Sequence, residues 1–159
     1  RHELSSELIE NKESLLKNIH NDIDDIYSSL EKLQSARAQI LDLKSRFISE
    51  DNYSEIYELS KKTIEVINDV ESSLISPKQK TFQDVINFRN QLDAQFFDLL
   101  SKVDRNIPPV TNGELKRFED LHKKWIGIKL EYERVISSVD KINKLLIEKS
   151  FPFISGGGN

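Results

Sequence analysis

The sequence predicts an all-α fold, an elongated antiparallel bundle of four helical segments. Apolar residues recur at steps of three and four along most of the 159 residues, as they do on one face of an amphipathic helix. The chain has only five Gly and four Pro, and three of the Gly lie near its end, so long uninterrupted elements are expected. No stretch alternates apolar and polar residues in the way that a half-buried strand does.

Segment one is predicted to run from about Leu4 to Ser49. Its apolar residues form one stripe with a single polar gap at position 11 or 12. The stripe comprises Leu4, Leu8, Leu15, Ile19, Ile23, Ile26, Leu30, Leu33, Ala36, Ile40, Leu43 and Phe47.

Segment two follows a polar break at residues 50–52 and ends near Ile75. Asn52 and Glu55 resemble a capping box, in which two side chains each bond the backbone N–H of the other residue at a helix start. The apolar positions of the segment are Tyr53, Ile56, Tyr57, Ile64, Ile67, Val70 and Leu74.

Segment three has two possible starts. Ser76 is one cap, with Pro77 at the first helical position where proline is favoured; Thr81 is the other, with the residues before it in a loop. Its apolar positions are Phe82, Val85, Ile86, Leu92, Phe96, Leu99, Leu100 and Val103.

Segment four has the clearest start. Thr111 and Glu114 have the T-x-x-E spacing of a capping box, and Val110 and Leu115 stand where a hydrophobic staple places its two residues. An apolar stripe then continues almost to Lys149 without a proline. The stripe comprises Leu115, Phe118, Leu121, Trp125, Ile128, Tyr132, Val135, Ile136, Val139, Ile142, Leu145 and Leu146.

We expect a single helical domain over residues 1–154 and a disordered tail at residues 155–159. Short connections make sequential helices antiparallel. Segments two and three either form one kinked helix, which gives a three-helix bundle, or a hairpin, which gives an up-down four-helix bundle.

Composition excludes several classes of protein. The net charge is −4 and no basic cluster occurs, which argues against nucleic acid or an anionic membrane surface as a partner. No apolar run approaches the roughly 20 residues of a membrane span. No signal peptide is seen; the chain begins at Arg1 and has no Met, so we expect a mature fragment or an excised domain. There is no Cys, which removes disulfides and thiol chemistry.

No catalytic, metal or cofactor site is predicted. Glu119 and His122 have the E-x-x-H spacing of carboxylate-bridged di-iron bundles, but a second such pair is missing, so His122 is interpreted as a surface residue. Asp22, Asp24 and Asp25 lack the spacing of a calcium loop and are interpreted as a solvated helix face.

The aromatic residues supply the candidate interface. Adjacent helical residues point about 100° apart, so Phe96 and Phe97 both become buried only in a wide core; otherwise one of them is available to a partner. Phe151, Phe153 and Ile154 either fold back onto the bundle or dock against a neighbouring domain.

Two further residues of segment four are interpreted through packing. Trp125 lies on the apolar stripe and is expected in the core. Gly127 stands in mid-helix, where Gly is unfavourable, and is expected to mark the close approach of another helix.

Three blocks of sequence resemble a known family. They are Gln83–Leu92, Pro109–Leu121, with its capped P-x-T start, and Val139–Leu146 followed by the apolar and proline-containing 151–154. Their order and spacing resemble the C-terminal helical region of bacterial sortilin-like proteins, which are large secreted β-propellers with BNR (bacterial neuraminidase) repeats. The resemblance covers about Thr81 to Ile154, and no catalytic residue of the family maps onto this chain.

The resemblance implies a non-enzymatic accessory or interaction bundle at the C-terminal side of a propeller, in the periplasm or outside the cell. The implied partner is the upstream propeller or another protein; no oligomeric state is predicted. The alternative is a ligand-sensing bundle of a bacterial receptor, in which Arg89 and Arg134 are candidates for gripping an anionic ligand.

Overall fold

The computed structural model describes residues 2–76, 91–105 and 110–151 and confirms the all-α bundle. Four α-helices are present in these ranges: α1 (His2–Phe47), α2 (Ser54–Leu74), α3 (Leu92–Arg105) and α4 (Asn112–Glu148). No strand occurs in these three ranges. Of the two proposed starts of segment three, Ser76 is described and buried, whereas Pro77 and the alternative cap Thr81 lie outside the described residues, as does the tail at 155–159.

The start of α4 is the one that its sequence predicts. The Thr111 backbone N–H donates to Glu114 Oε1 and the Glu114 N–H donates to Thr111 Oγ1, both at 3.0 Å. The capping box is therefore confirmed, and two of the backbone donors that a helix start leaves unpaired are satisfied.

The predicted capping box at the start of α2 is wrong. A short 3₁₀ turn at Asp51–Tyr53 precedes α2, so Asn52 lies inside this turn instead of capping the helix. The turn is preceded by Glu50, whose carbonyl accepts the Tyr53 N–H at 3.0 Å and whose side chain makes no cap bond. Helical hydrogen bonding thus begins before the position that the sequence pattern marked.

The chain divides into two compact units, and the described residues of each come mainly from three of the helices. The first unit contains Arg1–Tyr27 and Ser73–Gly127; the second contains Ser28–Ser72 and Ile128–Asn159.

In the first unit α3 is antiparallel to α1, and α4 is parallel to α1. Lys12 Nζ bonds the Asp104 carbonyl and the Tyr27 hydroxyl bonds Asp93, so chain numbers rise along α1 as they fall along α3. Against α4 the pairs are Asp22 with His122 and Asp25 with Trp125, in which both numbers rise together. The buried apolar residues are Leu15, Ile19, Ile23, Ile26, Leu74, Leu92, Phe96, Leu99, Val103, Leu121 and Trp125.

The second unit has the same arrangement with α2 in the middle position. Arg37 pairs with Glu71 near the end of α2, while Lys44 lies over the ring of Tyr57 near its start. Glu55, at the start of α2, is 3.6 Å from Lys149, which follows the end of α4. Its buried apolar residues are Leu30, Leu33, Ala36, Ile40, Leu43, Tyr53, Ile56, Ile67, Val70, Tyr132, Val135, Val139, Ile142 and Leu146.

In each unit α1 and α4 are parallel, and the segment between them is antiparallel to both. This is the arrangement expected for the three-helix alternative. An up-down four-helix bundle would make α1 and α4 antiparallel, because each short connection reverses the chain direction. The connection between α2 and α3, at residues 77–90, lies outside the described residues.

Candidate functional site

Phe97 and Tyr27 form an exposed aromatic pair in the first unit. Their ring centroids are 6.2 Å apart at 42°, and the two residues retain 45% and 39% of their exposure. Tyr27 stands beside Ile26 of the predicted stripe, and the sequence analysis did not single it out.

Phe96 is fully buried, so it contributes to the core and not to an accessible surface. The core face of α3 is taken by Leu92, Phe96, Leu99 and Val103. Phe97 follows Phe96 by one residue and is turned about 100° away from this face. The spacing of the α3 stripe therefore determines which of the two phenylalanines is available to a partner.

A buried carboxylate holds the exposed tyrosine in place. The Tyr27 hydroxyl donates to Asp93 Oδ2 at 2.7 Å, and the Ala94 backbone N–H donates to Asp93 Oδ1 at 2.7 Å. Burial raises the pKa of Asp93, and the two hydrogen bonds oppose this rise. The pKa of Tyr27 is also raised, first by burial and then by the bond to Asp93 and its charge, which keeps the hydroxyl proton in place as donor.

Two polar pairs cross between α1 and α4 in the same unit. His122 Nδ1 lies 2.6 Å from Asp22 Oδ2, and the Trp125 indole Nε1–H donates to Asp25 Oδ2 at 3.0 Å. Asp22 is buried and His122 is half-buried, with its ring stacked on Phe118 at 5.5 Å. The interpretation as a solvated face is therefore wrong for Asp22, while Asp24 is exposed as expected. His122 keeps 44% of its side-chain exposure, so it lies at the surface as interpreted, with Asp22 as its partner.

Trp125 is fully buried, as expected, but the explanation of Gly127 is wrong. A Cβ added to Gly127 would meet no atom within 4 Å, so none of the described helices approaches it closely.

Phe151 belongs to an aromatic cluster in the second unit. Its ring centroid is 4.9 Å from that of Phe47 and 5.8 Å from that of Tyr53. Phe151 thus folds back onto its own unit and is half-buried there. Phe153 and Ile154, the other candidates from the tail, lie outside the described residues.

Each unit also has an open groove between helices. In the first unit, a groove of about 430 Å³ is lined by polar residues of α1, including Asn11 and Asn18, and by Leu115 and Phe118 of α4. In the second unit, a groove of about 200 Å³ between α2 and α4 contains Arg134 and Lys62. Arg134 is exposed and is paired with Glu131 one helical turn away. Arg89 lies outside the described residues.

Within the described ranges, no three metal-ligating side chains come together. No helix in these ranges combines the length and the apolar character needed to cross a membrane. A comparison of the chain with protein-family models, curated proteins and solved structures finds no match.

Proposed function

We propose that this chain is a non-enzymatic interaction bundle, an accessory domain of a larger secreted β-propeller protein that acts in the periplasm or outside the cell. The pair of exposed aromatic rings, Tyr27 and Phe97, is the observation that carries the interaction role. The resemblance of three sequence blocks to the helical region of sortilin-like proteins supports the choice of parent protein, and the upstream propeller is the proposed partner.

The pair has the physical properties of a contact site. Aromatic side chains are enriched in the buried centres of protein interfaces, because they bring a large apolar area with few rotatable bonds. Tyr27 is held at its hydroxyl by Asp93 and at its ring by Phe97, so little conformational freedom remains to be lost on binding.

The test is a calorimetric titration of this chain into the separately produced propeller region of the full-length protein. We expect Phe97→Ala to weaken binding about fivefold or more, because truncation of an aromatic anchor at an interface typically costs more than about 1 kcal/mol. Phe97 is half-exposed, so the variant should keep its helical content.

Ile147→Ala is the matched control, since Ile147 is exposed to 61% on α4 in the other unit. It should bind like the unaltered chain. The proposal is contradicted if the unaltered chain does not bind the propeller region, or if Phe97→Ala and Ile147→Ala bind equally well.

Ligand sensing is the second candidate function, and the placement of Arg134 beside Lys62 in one groove favours it. A thermal-shift screen with amino acids and small carboxylates tests it. Ligand sensing predicts a stabilising compound whose effect disappears in Arg134→Gln; a screen in which no compound raises the melting temperature removes this candidate.

A further inference from the structure

A separate groove in the second unit, between α1 and α2, is lined by apolar side chains and by two lysines. Its volume is about 210 Å³, and its apolar wall consists of Ile40 and Leu41 from α1 with Tyr57 and Ile64 from α2. Leu41 is 47% exposed, so this wall is open to solvent. The remaining lining residues are Lys44, Ser60, Lys61 and Glu65.

The two lysines of the groove have no carboxylate partner within the described part of the chain. Lys44 lies with Nζ 5.4 Å from the centre of the Tyr57 ring, a cation–π arrangement that keeps its ammonium group beside the apolar wall. Lys61 stands one helical turn before Glu65, and no ion pair joins the two described residues. Two cations against one carboxylate leave the lining with an excess of positive charge.

Ser60 is a buried polar side chain that also faces this groove. It is only 4% exposed and lines the groove. Its hydroxyl interacts with that of Tyr53, which lies behind the groove; this interaction lowers the pKa of Tyr53 and opposes the larger rise that burial causes.

We propose that this groove binds a small alkyl carboxylate, with the chain against Leu41, Tyr57 and Ile64 and the carboxylate facing Lys44 and Lys61. Typical ligand pockets enclose about 300 to 1,000 Å³. A groove of about 210 Å³ therefore suits a small ligand.

The walls of the groove favour an alkyl chain over the end of a peptide. Both walls are α-helices whose interior N–H and C=O groups are already hydrogen-bonded, so they offer nothing to a peptide backbone. An alkyl chain needs only apolar contact, and two lysines complement one carboxylate.

Sodium octanoate is the probe, and ¹H–¹⁵N spectra of the whole chain are the readout. Octanoate at millimolar concentration should shift the amide signals of Ser60, Lys61 and Ile64. Acetate, which has no chain, and octylammonium, which has the opposite charge, should leave these signals in place. Equal shifts with octylammonium would overturn the proposal, since they would show simple apolar association.

Two adjacent lysines provide a matched pair of variants. Lys61 lines this groove, whereas Lys62 lines the groove between α2 and α4, and both are exposed. Lys61→Glu should weaken octanoate binding by about fivefold, in line with the strength of exposed ion pairs, and Lys62→Glu should change it little. Equal effects of the two variants, or an absence of octanoate shifts in the unaltered chain, would overturn the assignment.

Discussion

Gly127 illustrates how a single residue is misread when only its place in a helix is known. A glycine in mid-helix is typical of close helix packing, yet a Cβ at this position would meet no atom within 4 Å. The residue therefore contributes only its unfavourable helix propensity, about 1 kcal/mol relative to alanine.

Gly127→Ala should accordingly stabilise the protein by about 1 kcal/mol, which is roughly 2–4 °C in melting temperature for a chain of this size. Thermal and urea unfolding measure the change. Gly113→Ala is the control: it lies in the first turn of α4, where propensity counts less, and its Cβ would be 3.8 Å from Thr111 Oγ1. A Gly127→Ala protein with unchanged or lower stability would contradict this explanation.

Asp93 is expected to lower the stability of the protein as the pH rises. A buried carboxylate with a cationic partner has the opposite effect. Its pKa in the folded state is raised above the ordinary value of 3.8, because burial disfavours the charge more than the Tyr27 and Ala94 bonds favour it. Because the folded state binds the Asp93 proton more tightly than the unfolded state does, this group stabilises the fold at pH values below its pKa in the unfolded chain. The stabilisation is lost as the pH rises through the pKa of the folded state.

Asp93→Asn keeps an oxygen that can accept the Tyr27 hydroxyl and removes the titration, and it loses the Ala94 bond at every pH, so only the pH-dependent part of the difference reports on Asp93. Urea unfolding of the two proteins should therefore diverge with rising pH above about 4, with the unaltered protein losing stability relative to the variant. Parallel stability curves across this range would show that the burial of Asp93 has no energetic effect.

The polar pairs between α1 and α4 could not be predicted from the sequence. The periodicity of α1 places Asp22 beside its apolar stripe, which is equally compatible with a solvated face. Its burial depends on His122, 100 residues away, which has to arrive on the neighbouring helix in register. A local pattern carries no information on such a partner, whereas Trp125 was predicted in the core because its own spacing was sufficient.

At the scale of elements, the sequence predicted the helices better than their ends. The apolar stripes of α1, α2 and α4 match the observed helices to within a few residues. The start of α4 was found because its capping box is a local chemical signal, and the start of α2 was misplaced because a 3₁₀ turn has no comparable signature. The sequence left the start of segment three open between two caps, and residues 77–90, on which that choice depends, lie outside the described residues.

The end of α4 is closed by a Schellman motif that no glycine marks. The Phe151 N–H donates to the Leu146 carbonyl at 2.8 Å and the Ser150 N–H to the Ile147 carbonyl at 3.1 Å, with Ser150 at φ 62°. Glycine is the usual residue at this left-handed position, because a Cβ is unfavourable there.

Ser150→Gly should raise the free energy of unfolding by up to about 1 kcal/mol, since it relieves this backbone penalty. Ser150→Ala, which keeps a Cβ and loses only the exposed hydroxyl, is the control and should give no such gain. If both substitutions change the midpoint of urea unfolding equally, the left-handed backbone is not the cause.

At the scale of the whole molecule, the parallel course of α1 and α4 is the feature that periodicity left undecided. An apolar stripe shows which face of a helix is buried, but not which helix covers it. The contacts of Asp22 and Asp25 with α4 decided the matter within the first unit, and the position of Lys149 decided it within the second.

Spin labels on cysteine pairs can check this direction, and the chain has no native Cys to interfere. Labels at Asp24 and Lys124 should be close together, because the pairs 22–122 and 25–125 are in contact. In the parallel arrangement Ile126 lies level with position 26 of α1, about 19 residues beyond Glu7. At a rise of 1.5 Å per residue, labels at Glu7 and Ile126 should be roughly 30 Å apart. A short distance for the second pair would contradict the parallel arrangement.

The same parallel pairing has a consequence for the order of folding. Contacts between α1 and α2 join residues 31 to 37 positions apart, and the Gln95–Arg117 contact between α3 and α4 joins residues 22 apart. The two contacts between α1 and α4 each close a loop of 100 residues, which costs about 1 kcal/mol more in chain entropy. The hairpins are therefore expected to form early, and the docking of α4 on α1 is expected to follow the rate-limiting step.

Stopped-flow measurements on Asp22→Asn should show faster unfolding, with the folding rate almost unchanged. Slower folding of this variant would mean that the contact between α1 and α4 forms before the folding barrier.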